Sequence, residues 1–200
     1  MFEIKFISLI FQLMAGLMPL AVLFIGKRKF RIEFNLYLTA SILSTFLILI
    51  TNYFKINNAF VFDGFQLSSI ILLSLFYFRN LDSKILSYIV IFLGFFCLSF
   101  YLIELVSLGY PQKSLVLENL CFIVCPILFY IDSIVSTQKT STLILLNTAI
   151  FIYKSISFLF FFFLVTLMVN NLWYIHNFIE GSSKLLIAYA LWKLPKTAHS

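Results

Sequence analysis

Charge is what this chain has least of. Of 200 residues, 14 are basic and 8 acidic, together 11% of the sequence, against 62% hydrophobic. A soluble domain is about a quarter charged, so this composition cannot build a water-facing surface. Histidine is nearly absent: only His176 and His199 occur. That excludes a membrane hydrolase built on a His-rich zinc site. There is no Gly-rich phosphate loop, no nucleophile elbow and no metalloprotease helix motif, so no residue is a candidate catalyst. Nothing in the pattern asks for a metal or a cofactor. The three cysteines, Cys97, Cys121 and Cys125, all fall inside apolar runs without metal-ligand spacing and read as small packing residues.

What the chain has instead is long apolar runs. They are continuous, unlike the alternating segments of about ten residues that build a membrane barrel. Seven helices are expected, over about 6–25, 34–54, 65–78, 85–108, 115–135, 142–169 and 172–194. Most approach the roughly 20 residues that cross about 30 Å of hydrocarbon. The third is short, and Pro126 places a kink in the fifth. The first run follows Met-Phe-Glu-Ile-Lys and continues to Ile25 without a small-residue cleavage site, so it is read as a membrane helix rather than a signal peptide. The fold class is all-α: a single-domain polytopic transmembrane bundle of about seven helices, with no extramembrane domain.

The net charge of +6 is a matter of topology and lipid rather than of nucleic acid, because the basic residues gather at helix ends. Lys27, Arg28, Lys29, Arg31, Arg79, Lys84, Lys139, Lys193 and Lys196 fall on one side, nine against Lys5, Lys55 and Lys113 on the other. The positive-inside rule then places the N-terminus outside and the C-terminus in the cytoplasm, in a multi-pass inner (cytoplasmic) membrane protein.

Two lysines break the pattern. Lys154 lies in the sixth run and Lys184 in the seventh, both near mid-depth. A Lys at the bilayer centre costs about 2.5–3.5 kcal/mol on insertion scales and needs a partner or a wet cavity. Glu180 stands four residues before Lys184, on the same helical face and within ion-pair reach, with Asn177, Gly181 and Ala188. Lys154 has no acid at helical spacing, so its counter-charge must come from another helix, a ligand or lipid. Glu104 and Glu118 fall near the outer ends of the fourth and fifth helices. The bland reading makes the acids interfacial and the Glu180–Lys184 pair a packing device. The sharper one is an outward-opening cavity, with acids at its rim and lysines at its floor, holding a small anionic ligand or relaying protons.

Three resemblances follow from these residues. The Glu180–Lys184 pair resembles the acid and retinal-binding Lys of microbial rhodopsins, but the third helix, Asp63-Gly-Phe-Gln-Leu-Ser-Ser, lacks that family's Arg and mid-helix carboxylate pattern, and the sixth lacks its Trp–Pro pocket elements. Pro111-Gln112 resembles the Pro-Gln motif of seven-helix sugar transporters, yet occurs once, in a loop, without a repeat partner. Three longer stretches are similar to an uncharacterised group of small seven-helix integral membrane proteins of Bacteroidota. They are Gln12-Leu-Met-Ala-Gly-Leu-Met-Pro19, Thr148-Ala-Ile-Phe-Ile-Tyr-Lys-Ser-Ile-Ser-Phe158, and Leu172-Trp-Tyr-Ile-His-Asn177 with Ile187-Ala-Tyr-Ala-Leu-Trp-Lys193. That likeness implies the seven-helix fold and no activity. The group is expected to carry Tyr-Phe-Ser where this chain has Tyr153-Lys154-Ser155, and an Asn-rich stretch near Lys184, which makes both lysines features of this chain.

The leading expectation is a receptor-like sensor or transporter that binds a small ligand or ion in the outer half of the bundle. Lys154 and Lys184 are its anion or proton sites, and Glu180, Glu118 and Glu104 their partners. The alternatives are an accessory subunit whose buried charges pair with another membrane protein, and a homo-oligomeric channel-type effector.

Overall fold

The computed structural model describes residues 2–25, 30–108, 112–136, 140–167 and 173–193. They form seven helices: α1 (Phe2–Ile25), α2 (Ile32–Tyr53), α3 (Ala59–Asn80), α4 (Lys84–Leu108), α5 (Gln112–Ser136), α6 (Ser141–Leu167) and α7 (Trp173–Trp192). Lys27, Arg28, Lys29, Lys139 and Lys196, on which the charge asymmetry largely rests, lie outside the described residues, as do Pro111 and His199.

The third helix is longer than its sequence promised, 22 residues rather than 14. Asp63 does not break it, because Tyr101 on α4 donates its hydroxyl to Asp63 Oδ1 at 2.7 Å. Asn57 accepts the Ala59 N–H at 3.0 Å at the helix start. With one polar residue satisfied across the interface, Phe60 to Phe62 continue the apolar pattern N-terminally.

Each helix packs against its neighbours in sequence, and α7 closes the ring on α1, the most extensive contact in the bundle. A further contact joins α3 to α5 behind α4, which leaves α4 on the periphery. Among the described residues, six helices, α1 to α6, are long and apolar enough to cross a membrane. The middle of α7 carries Asn177, Glu180, Ser182, Ser183 and Lys184. It nonetheless has 20 residues, enough for about 30 Å, and lies along α1 and α6.

Polarity is turned inward. Large apolar side chains such as Phe92, Phe95, Ile103 and Val106 are exposed on the outer surface. Buried instead are Ser, Thr, Asn, Gln, Glu and Lys side chains in unusual number. With lipid outside, apolar burial gives little driving force between helices, so close packing and interhelical hydrogen bonds hold them together. Tyr77 on α3 donates to Asn147 Oδ1 on α6 at 2.9 Å, and Asn147 donates to the Pro126 carbonyl on α5 at 3.1 Å. Tyr130 and Thr148 join α5 to α6 at 2.7 Å.

Acids near two helix ends serve as staples. Glu104, near the C-terminus of α4, accepts the Lys113 and Ser114 N–H groups at 3.0 and 2.6 Å. Asp132, near the C-terminus of α5, accepts the Asp82 and Ser83 N–H groups at 2.8 and 3.0 Å. Each helix of this antiparallel pair thus ends in a carboxylate that satisfies orphan donors around the start of the other and complements its dipole.

Two glycines mark the closest approaches. A Cβ on Gly94 of α4 would fall 2.8 Å from Ser74 Cβ on α3 and overlap its hydroxyl. A Cβ on Gly181 would fall 2.6 Å from the Phe11 ring and 3.3 Å from Gln12 Cα, both on α1. At Gly64 nothing lies within 4 Å. Gly181→Ala is expected to push α7 off α1 and destabilise by about 1–3 kcal/mol, an overpacking cost. Gly64→Ala is expected to be neutral or mildly stabilising through helix propensity. Thermal unfolding in detergent micelles separates the two, and equal melting temperatures would contradict the close-packed α1–α7 seam.

Candidate functional site

Lys154 is the central residue of α6, 13 residues from either end. It is 3% exposed, and its partner is Glu118 of α5, fully buried. Lys154 Nζ donates to Glu118 Oε1 at 2.9 Å. The ammonium also stands over the Phe122 and Tyr153 rings, 5.2 and 5.5 Å from their centroids, which offsets part of its desolvation. The counter-charge missing from the sixth helix is therefore supplied by the fifth, 36 residues earlier in the chain. The second Glu118 oxygen, Oε2, has no hydrogen-bond partner among the described residues.

The second pair is local, as the spacing implied. Lys184 Nζ lies 2.6 Å from Glu180 Oε1. Both residues are buried, 4% and 5% exposed. Ser41 on α2 donates to the same Oε1 at 3.1 Å, and the Gln12 amide on α1 hydrogen-bonds the carboxylate. Gly16 on α1 leaves room for the Lys184 side chain, whose Cδ would lie 3.4 Å from a Cβ there. Three helices therefore meet on Glu180.

Above Glu180 is a cavity of about 380 Å³, running to the bundle end that carries the α2–α3 connection. Its walls come from five helices. Leu9 and Gln12 belong to α1, Ser44, Thr45, Ile48 and Asn52 to α2, Phe62, Phe65 and Gln66 to α3, Tyr153 to α6, and Tyr174, His176, Asn177 and Glu180 to α7. Asn57 and Asn58 reach it from the connection. Among the described residues that line it, Glu180 is the single acid and none is Lys or Arg.

The expected rim-and-floor arrangement divides in three. Glu180 does line the cavity, with Lys184 behind it. Lys154 and Glu118 form a sealed pair off its wall, because the α5–α6 interface closes over them. Glu104 stands apart as the helix staple described above. An anion held by Lys154 and Lys184 finds no cation on the wall, since both ammoniums already face carboxylates. The accessory-subunit expectation rested on charges seeking a partner in another chain, and both pairs close within this one.

Tyr174, in the first turn of α7, stands on the cavity wall. In the Phe158–Phe163 run, Phe161 packs on the His176 ring at 5.0 Å, while Phe162 and Phe163 face outward. Sequence reasoning missed Gln12, Ser44, Thr45, Asn52 and Tyr153. The signal was present on α2, where Ser41, Ser44, Thr45 and Asn52 recur at helical spacing and form a polar stripe. The cysteines are free and buried, and among the described residues no cluster of His, Cys, Asp or Glu is suited to a metal ion.

No family model, curated protein or solved structure matches this chain. The class defined by fold and site is a multi-pass helical membrane protein with a cavity of mixed polar and apolar lining at one end of the bundle.

Removing one member of the Lys154–Glu118 pair leaves an uncompensated buried charge, which costs about 3–5 kcal/mol. Lys154→Met is expected to lower thermal stability by that amount in micelles. The double variant Lys154→Met/Glu118→Leu is expected to recover most of the loss. A double variant no more stable than Lys154→Met alone would show that the pair is not a closed unit.

Proposed function

We propose that this protein binds a small polar ligand in the outer half of its bundle and acts as a receptor-like sensor or transporter. The observation that carries the reading is the cavity itself. Its volume of about 380 Å³ is in the range of ligand clefts, about 300–1,000 Å³, and its convergent polar groups come from distant parts of the chain. Glu180 couples the wall to the α1–α2–α7 junction, so occupancy has a direct mechanical route to three helices. The same stretches that resemble the Bacteroidota seven-helix group supply Gln12, Tyr153, Tyr174 and Asn177, and we propose membership of that group on those residues.

The orientation belongs to the proposal. With seven spans and basic residues gathered at the opposite end, the cavity mouth faces outward across the inner membrane. Asn57 and Thr140 are exposed at opposite ends of the bundle, and the native cysteines are buried. In intact cells, Asn57→Cys is expected to react with a membrane-impermeant maleimide, and Thr140→Cys only after permeabilisation. The reverse pattern would invert the topology.

Ser44 lines the cavity and belongs to neither ion pair. Ser44→Phe is expected to fill the space while leaving the bundle folded. In proteoliposomes challenged with neutral, cationic and anionic solutes, saturable uptake or binding by the wild type should fall at least about tenfold in Ser44→Phe, equivalent to about 1.4 kcal/mol. Identical behaviour of the two proteins toward every solute would sink the ligand reading.

A further inference from the structure

The chemistry of the wall narrows the ligand. We infer that the cavity takes a small uncharged polyol, a molecule carrying several hydroxyl groups on a compact carbon frame; this rests on reading the cavity as a ligand site.

The first ground is charge. An ion entering the cavity must shed water, and a wall without a matching opposite charge does not repay that cost. No cation lines the wall among the described residues, which disfavours an anion. The one carboxylate, Glu180, is already matched by Lys184 at 2.6 Å, so an entering ammonium meets a neutral pair.

The second ground is the mixed donor and acceptor character of what remains. Gln12 is 6% exposed; its amide bonds Glu180, and its Oε1 has no hydrogen-bond partner among the described residues. A buried acceptor on a cavity wall calls for a donor from the occupant. Ser44 and Thr45 spend their protons on the Ser41 carbonyl, at 2.9 and 2.8 Å, and so present lone pairs. Asn58 donates to Asn52 Oδ1 at 3.1 Å, which leaves the Asn52 amide protons and the Asn58 oxygen for other partners. Neighbouring groups of opposite hydrogen-bonding sense suit hydroxyls, each of which both donates and accepts. The third ground is the apolar part of the same wall, where the rings of Phe62, Phe65, Tyr153 and Tyr174 offer contact surface for the C–H groups of a carbon frame.

The test uses the full chain in lipid nanodiscs, with binding followed by calorimetric titration and by thermal stabilisation. The probes are glucose and myo-inositol as polyols, choline and putrescine as cations, lactate and phosphate as anions. Saturable binding of a polyol is expected, with no response to the ions. Gln12→Leu should weaken it about tenfold, and Ser44→Phe should abolish it. Should Gln12→Leu fail to fold, Gln66→Leu replaces it. Binding of a cation or an anion alone, abolished by Ser44→Phe, would overturn the polyol assignment and leave the ligand site standing. Polyol binding indifferent to both variants would place it elsewhere and overturn the assignment. Silence toward all six probes in the wild type would count against the assignment and the ligand site together.

Discussion

Burial of Lys154 against Glu118 is the constraint on which the rest of the bundle depends. Two charges held away from water cost several kcal/mol each, and their attraction repays this only when the geometry is good. The 2.9 Å contact fixes the rotation of α6 relative to α5 about their axes. With Lys154 turned toward α5, Tyr153 turns toward the cavity and Asn147 toward Pro126. A rotation that buried a different face would strand a charge in apolar surroundings. The pair therefore selects one register among the many that the apolar runs alone would tolerate, a registry role consistent with the best-attested use of buried polar groups.

The second pair does different work at the same depth. Glu180 and Lys184 lie one turn apart on a single helix, so their attraction says nothing about which helix comes next. What recruits the neighbours is the remaining hydrogen-bonding capacity of the carboxylate. Ser41 and Gln12 fill it from α2 and α1, and Gly181 lets α1 approach closely enough for Gln12 to reach. The polarity that keeps α7 from reading as an ordinary membrane span thus holds it in the ring. A helix too polar for lipid is acceptable where its polar stripe faces protein.

The cavity follows from how these two constraints meet. Below the level of Glu180 the interior is filled by side chains such as Phe34, Leu73, Leu146 and Leu191. Toward the α2–α3 connection polar side chains such as Gln12, Ser44, Thr45, Asn52 and Gln66 share the wall with Ile48, Phe62 and Phe65, and the helices leave a cavity between them. The α4–α5 pair, stapled at both ends by Glu104 and Asp132, stands apart from this opening. The cavity lies where α1, α2, α3, α6 and α7 converge, and the α4–α5 pair contributes no residue to its wall.

Much of this was legible in the chain. Long apolar runs determine membrane helices because unpaired backbone groups are too costly in lipid; all seven helices were placed, five of them to within a few residues, and among the described residues six are long and apolar enough to span. α3 was cut short because Asp63 reads as an end signal until Tyr101 is known to face it, and α1 begins a turn earlier than read. The Glu180–Lys184 pair was legible because four residues make one turn. The partner of Lys154 was not, because Glu118 is 36 residues away and helix adjacency is not written in periodicity. Glu104 was assigned to a site because a terminal acid in an apolar run looks the same whether it caps a helix or faces a ligand. The sequence by itself determined a polar-cored bundle of apolar helices with two charges that must be answered. Only the tertiary structure decided which acid answers which lysine and where the interior stays open, because both depend on the rotation of packed helices about their axes.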